Sequence, residues 1–330
     1  MKKTLYFFSD GTLQRKDNTI FYETENNKRF LPVEDVSEIM IFGEVNFNKT
    51  LLELLAQKEI ILHYFNYYGY YTGSFYPREH LNSGYAILKQ AEFYMDEHKR
   101  LNLAKLFITG AIKNIRQVVK YYLNRGKDLD NILEKIELGL NKIDSVESIA
   151  ELMAVEGNTR ELYYKGFDII INDKDFMFEE RTRRPPQNYL NTLISFGNTL
   201  AYTTCLSEIY KTHLDPRIGY LHSTNFRRFS LNLDVAEIFK PILVDRIIFN
   251  CIGKKIITKK DFVKDSEGII LKEKGKKSFI ENWDEKLKTT INHRDIGRSI
   301  SYRRLIRLEL YKIEKHIMGE KQYAPFIAKW

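Results

Sequence analysis

The stretch Gly219–Pro241 reads GYLHSTNFRRFSLNLDVAEIFKP and gathers a histidine, an arginine pair and two carboxylates within a few turns of chain. His222 has a loop-like HSTN setting. Asp234 and Glu237 follow three residues apart, which on a helix places them on one face. They lie among Leu231, Leu233, Val235, Ile238 and Phe239 rather than opposite them. One such carboxylate could cap a helix or pair with a base such as Arg246. Two beside a histidine favour a metal site, although an anion-binding pair and an apolar anchor also fit this stretch. Carboxylates with one imidazole suit Mg²⁺ or Mn²⁺ better than zinc, which would draw on sulfur or a second histidine. Such an ion polarises a phosphoryl oxygen and makes a bound water or hydroxyl more acidic.

A second carboxylate oddity lies earlier. A capping box at Asp144 and Glu147 is expected to open a helix. Its apolar positions Ile149, Leu152, Met153 and Tyr163 recur at steps of three and four, and the same steps land on Glu156. A carboxylate on a core-facing stripe needs a partner, either an arginine or a metal ion. A helix rotated by one position would expose it instead.

The basic residues suit phosphate. Arg181, Arg183 and Arg184 precede the Pro185–Pro186 pair, and Arg227 and Arg228 stand between His222 and Asp234. Guanidinium forks match phosphate oxygens. Arg294, Arg298, Arg303, Arg304 and Arg307 crowd what reads as the penultimate helix, and Lys254–Lys277 reads as a mobile cationic loop. No glycine-rich phosphate loop, nucleophile elbow or HExxH motif occurs, which weighs against ATP hydrolysis and acyl transfer.

These residues need a scaffold, and the chain is long enough for two domains: 330 residues, 43% hydrophobic. Lys and Arg outnumber Asp and Glu by 52 to 44, and the whole excess falls after residue 250. A basic segment on a near-neutral body points to a polyanion partner. Cys205 and Cys251 form no CxxC pair, consistent with a reducing cytoplasm. The apolar run Leu5–Phe8 is too short for a leader, and no run approaches a membrane span. A cytoplasmic protein is expected.

Residues 1–76 read as short strands around one small helix, Lys49–Lys58, with a tight turn at Ser9–Thr12. Residues 77–84 lack periodicity and read as a linker. From 85 to 330 helical patterns dominate, broken at Asn124–Gly126, at Arg181–Pro186 and near Asp215–Pro216. The expected class is α+β: a small N-terminal β domain, then a larger all-α domain. The aromatic strand edges could pair with a second copy.

Three segments carry a family resemblance: AVEGNTRELYY (Ala154–Tyr164), RTRRPPQNYLNTLISFGNTL (Arg181–Leu200) and DPRIGYLHSTNFRRFSLNLDVAEIFKPILVDR (Asp215–Arg246). With the N-terminal strands, YPREHLNSG and the C-terminal Tyr323–Phe326, they closely resemble the CRISPR-associated integrase family, the larger of the two universal CRISPR adaptation proteins. The resemblance implies a homodimer formed through the β domain. It implies a metal-dependent DNA endonuclease that inserts prespacer DNA into a CRISPR repeat with a small ferredoxin-like partner. It places the metal ligands, for Mn²⁺ or Mg²⁺, at Glu156, His222 and Glu237, with Asp234 orienting His222 or a basic neighbour. The family often has Asp where this chain has Glu237, a reach one methylene longer. The five arginines at 181, 183, 184, 227 and 228 would hold DNA. A catalytically silent DNA-binding scaffold, its carboxylates paired with arginines, is the alternative from another class. An RNA nuclease differs only in substrate.

Overall fold

A computed structural model describes residues 2–78, 81, 83–222, 229–266, 268–293 and 297–329. The chain forms two compact units, Met1–Asn82 and Ser83–Trp330.

In the first unit the elements are β1 (Lys3–Phe7), β2 (Gly11–Lys16), β3 (Thr19–Glu23), β4 (Lys28–Pro32), β5 (Val36–Ile41), β6 (Val45–Phe47), α1 (Lys49–Gln57), β7 (Ile61–Phe65) and β8 (Tyr71–Phe75). They make two four-stranded sheets, ordered β1-β5-β7-β8 and β4-β3-β2-β6. β1, β5 and β7 run parallel, with β8 antiparallel at the edge. Leu13, Ile20, Val36, Ile39, Leu51, Leu54, Leu55 and Leu62 fill one core. Asn48 caps α1 by accepting from the Leu51 amide. The expected turn at Ser9–Thr12 does not close a hairpin, because β1 and β2 belong to different sheets. The chain crosses between them here. A Cβ on Gly11 would stand 2.4 Å from the Glu23 carbonyl oxygen, so only glycine passes.

In the second unit the helices are α2 (Gly84–Met95), α3 (Glu97–Leu123), α4 (Asp130–Lys142), α5 (Ile149–Ile171), α6 (Tyr189–Ile209), α7 (Leu231–Phe239), α8 (Arg246–Gly253), α9 (Glu273–Lys288) and α10 (Tyr302–Ile317). α6 is buried on nearly every side and packs against α7 and α10. A helix buried all round needs small or self-satisfied residues. Here Thr199 and Thr203 return their hydroxyls to the carbonyls four residues back. α3 lies against α4, α5 and α7.

Three expectations are corrected. The cap of α5 is Ser148, whose hydroxyl accepts from the Glu151 amide, while Glu151 accepts from the Glu147 amide. The cap therefore sits four residues after Asp144, and Glu151 reaches back past it to the preceding amide. The unit is mostly but not wholly helical. Lys254–Lys277 is no open loop: β9 (Phe262–Lys264) and β10 (Ile269–Leu271) form a hairpin there, and α9 starts at Glu273. The Ile269 amide donates to the Pro186 carbonyl at 2.9 Å, so the Pro-Pro segment needs that hairpin as a backing strand. A second hairpin joins β11 (Thr290–His293) to β12 (Arg298–Ser301). Arg298 is thus in a strand, Arg303, Arg304 and Arg307 are in the last helix, and Arg294 lies outside the described residues.

Between α7 and α8 the chain does not stop at Pro241. It widens into one π turn, Pro241–Asp245, with the Asp245 amide reaching back five residues to the Lys240 carbonyl. Proline has no amide to donate, and its ring would press on the carbonyl four residues back in a regular α turn. The π turn relieves that and lets the rod continue to Gly253.

Candidate active site

Glu156 and Arg160 are four apart on α5, so they share a face. The Arg160 Nε donates to Glu156 Oε1 at 2.8 Å, and its Nη2 donates to Glu237 Oε2 at 2.6 Å. Glu237 is on α7, where it is buried, and its other oxygen accepts from Lys240 Nζ at 2.5 Å. One buried guanidinium therefore joins carboxylates from two helices. Burial alone would push the Glu237 carboxyl up, but Lys240, then Arg160 and His222, hold it well below the usual range. Burial works against the Arg160 charge as well, and Glu237 and Glu156 overcome it. Glu156 is half-buried, as the stripe through Leu152 and Tyr163 required, and its partner is an arginine.

His222 is positioned through Asp234. The fully buried Asp234 carboxylate accepts the backbone amides of Tyr220, Leu221 and His222. Its Oδ1 also lies 2.8 Å from His222 Nδ1. Four contacts on one carboxylate fix both the loop and the ring, and they engage Nδ1 rather than Nε2. The approach is close: a Cβ on Gly219 would sit 2.9 Å from Asp234 Oδ2. Burial disfavours the imidazolium, but the Asp234 hydrogen bond and charge, then Glu237, raise the His222 pKa above its ordinary value.

The π turn places a further carboxyl in this neighbourhood. Asp245 is buried, and burial pushes it up to about 7 despite the nearby charges of Arg160 and Lys240. The Tyr202 hydroxyl closes the other side, 3.4 Å from Lys240 Nζ.

Among the described residues, no three His, Cys, Asp or Glu side chains stand close enough to share an ion. The donor set nevertheless fits one. Glu156 and Glu237 already converge on a single cationic group, and the Glu237 charge reaches the His222 imidazole. Two carboxylates and an imidazole suit Mg²⁺ or Mn²⁺.

The arginines divide. Arg181 is half-buried and fastens its segment to α6, donating to Asn191 Oδ1 at 2.9 Å and Ser195 Oγ at 3.0 Å. Arg183 and Arg184 are exposed. Arg227 and Arg228 lie outside the described residues. Arg246 stacks on the Tyr121 ring, 4.4 Å from its centroid. The sequence reading missed Arg160 and Lys240, although both were legible: they follow Glu156 by four and Glu237 by three. Asp245 was not legible, because only the π turn sets its phase.

A family model described as CRISPR associated protein Cas1 matches residues 5–285. A protein named CRISPR-associated endonuclease Cas1 2, from Thermodesulfovibrio yellowstonii, is 60% identical over 330 residues, covering 100% of both chains. CRISPR-associated endonuclease Cas1 of Thermotoga maritima is 50% identical over 97% of this chain and 98% of its own. The solved structure of a CAS1 protein from Thermotoga maritima superposes with a TM-score of 0.89 at 48% identity, covering 98% of this chain and all of that one. A casposase bound to integration product shares the fold, with a TM-score of 0.88 at 20% identity, covering 99% of this chain and 93% of that one.

Proposed function

The chain belongs to the CRISPR-associated Cas1 family, and from that premise we propose that it is a DNA endonuclease and integrase of CRISPR adaptation. It inserts prespacer DNA into a CRISPR repeat by attack of a 3′-hydroxyl on a phosphodiester. It works as a homodimer with a small ferredoxin-like partner protein. The observation that carries the reading is the convergence of Glu156 and Glu237, from separate helices, on one buried cation, with an imidazole held by Asp234 of the same helix as Glu237.

Glu156, Glu237 and the Nε2 of His222 would hold Mg²⁺ or Mn²⁺. When bound, that ion supplies Lewis-acid polarisation of the attacked phosphate and a more acidic nucleophilic hydroxyl. The chain's own residues set the frame. Asp234 anchors Nδ1, so Nε2 presents its lone pair when the ring is neutral. Lys240 keeps Glu237 ionised in a buried setting. The exposed Arg183 and Arg184, and Arg227 and Arg228 of the HSTNFRR segment, hold the DNA backbone. Water in place of the sugar hydroxyl gives hydrolysis at the same site, so nuclease activity accompanies strand transfer.

The test is an integration assay with a prespacer, a repeat-bearing plasmid and the small partner. Glu156→Ala, His222→Ala and Glu237→Ala each lower Mn²⁺-dependent strand transfer by about a hundredfold or more while DNA binding persists. Strand transfer retained in all three variants would falsify the ligand assignment.

One observation favours a second reading. Both Glu156 and Glu237 are paired with basic side chains, as a silent DNA-binding scaffold requires. A Mn²⁺ titration of the whole chain separates the two: the scaffold reading expects no saturable binding.

A further inference from the structure

Behind the bridged carboxylates lies a set of polar atoms with no task in the reaction above. Arg160 Nη1, the Tyr163 hydroxyl and both oxygens of Asp245 are buried without a short hydrogen bond among the described residues, and the Tyr163 hydroxyl lies near enough to Asp245 to favour its ionised form. Arg160 and Tyr163 are three apart on α5, and Asp245 ends the π turn. The three groups lie within electrostatic reach of one another. Buried polar groups are nearly always bonded, so several orphans in one place ask for an explanation. Arg160 has two carboxylate destinations. Its Nε and Nη2 are held by Glu156 and Glu237, and its Nη1 is the nitrogen that neither of them holds.

We propose that Asp245 receives Arg160: when a divalent cation takes Glu156 and Glu237, the guanidinium leaves them and turns onto Asp245. This inference rests on the metal-site reading above. A guanidinium and a divalent ion on the same carboxylate oxygens repel each other at short range. Arg160 is only 5% exposed, so water cannot take over its hydrogen bonds. A buried charge deprived of its partner is strongly destabilising, so the displaced guanidinium requires a second carboxylate. Asp245 is buried, within electrostatic reach of Arg160, and held by no basic side chain at short range among the described residues. The pocket then exchanges one cation for another, and the guanidinium keeps a carboxylate partner in both states. Arg160 fills the site without metal, and Asp245 sets how readily it yields. Asp245 is a positioning residue, and the Tyr163 hydroxyl supplies it with a donor.

The test is Mn²⁺ affinity, measured by titration calorimetry on the full chain. Wild type is compared with Asp245→Asn, Arg160→Met and the double variant. Asp245→Asn weakens Mn²⁺ binding by about 10- to 100-fold. In the Arg160→Met background the same change has no effect, because no guanidinium needs a new partner. Equal weakening in both backgrounds, or none in either, overturns the proposal. A crystal structure of the wild-type chain with Mn²⁺ needs no variant to fold. It supports the proposal if the guanidinium has moved onto Asp245, and overturns it if Arg160 still bridges Glu156 and Glu237. A wild-type chain that binds no Mn²⁺ removes the metal reading and this inference together. Binding that depends on Glu156 but not on Asp245 removes the inference alone.

Discussion

Glu208, near the end of α6, shows how one side chain can organise a helix pair without touching the reaction. It is fully buried and accepts from Lys211 Nζ at 3.0 Å, Arg303 Nε at 3.0 Å and Arg307 Nε at 2.7 Å. Burial pushes its carboxyl up, but Lys211, Arg303 and Arg307 outweigh that and hold it at about 2. The folded pKa is below the ordinary 4.5, so the ionised form is the one that folding favours. Its stabilisation is complete above the unfolded value and is lost as pH falls from about 4.5 toward 2. Its size is about 3 kcal/mol. Urea unfolding between pH 6 and 3 checks this. Wild-type stability falls along that limb, and Glu208→Gln is less stable at neutral pH by about 3–5 kcal/mol with a flatter acid limb. An equally steep limb in Glu208→Gln would assign the acid loss to other carboxylates. Glu156 belongs to the same scale. Its place on the helix stripe was legible because period and residue type conflicted there, and a carboxylate in that place needed a partner. That Arg160 resolves it was legible from spacing as well.

Among the elements, α7 depends on parts of the chain far away in sequence. Asn114 on α3 donates to the Ile238 carbonyl at 2.9 Å, next to Glu237, and to the Phe326 carbonyl at 3.0 Å. It also accepts from the Ala328 amide. Phe326 stacks on Phe239, and Tyr323 donates to the buried Glu309 on α10. The segment Tyr323–Ala328 is therefore a brace across α3, α7 and α10. Asn114→Ala leaves three backbone groups without this partner and lowers stability by about 3 kcal/mol, read by urea unfolding. Truncation after Met318 costs more and abolishes strand transfer. A truncated chain with wild-type unfolding and activity would remove the brace from the account. None of this was legible from periodicity, because a tail without regular structure has no period. The resemblance pointed to Tyr323–Phe326, but only packing gives it a reason. The strands of the first unit read well from β-branched and aromatic runs. Their division into two sheets did not, because local turn residues do not say which sheet comes next.

For the molecule as a whole, the charge excess after residue 250 overstates the basic surface. Arg303 and Arg307 answer Glu208 internally. The composition pointed toward a polyanion, but charge counted along a sequence does not separate inward from outward. Exposed lysines and arginines remain on several elements, so DNA affinity is expected to fall linearly in log–log terms with added salt. Each phosphate contact adds a slope of about −0.9 on duplex DNA. Fluorescence anisotropy with duplexes of unrelated sequence at several salt concentrations checks this. A salt-independent affinity would point away from backbone binding. Arg183→Ala with Arg184→Ala lowers the slope magnitude by about 2 if both contact phosphates.

The brace at Tyr323–Ala328 has a consequence for synthesis. α7 carries Glu237, and part of its support, the Phe326 stack on Phe239 and the tail's bonds to Asn114, arrives only when residues 323–328 have been made. On the ribosome the carboxylates of α5 and α7 exist long before the framework that holds them in register. A nascent chain therefore carries Glu156, His222 and Glu237 and remains unarmed, and a chain cut short before residue 323 is expected to stay that way. For a protein that cuts and joins DNA, a brace made this late makes translation past residue 328 a condition of activity.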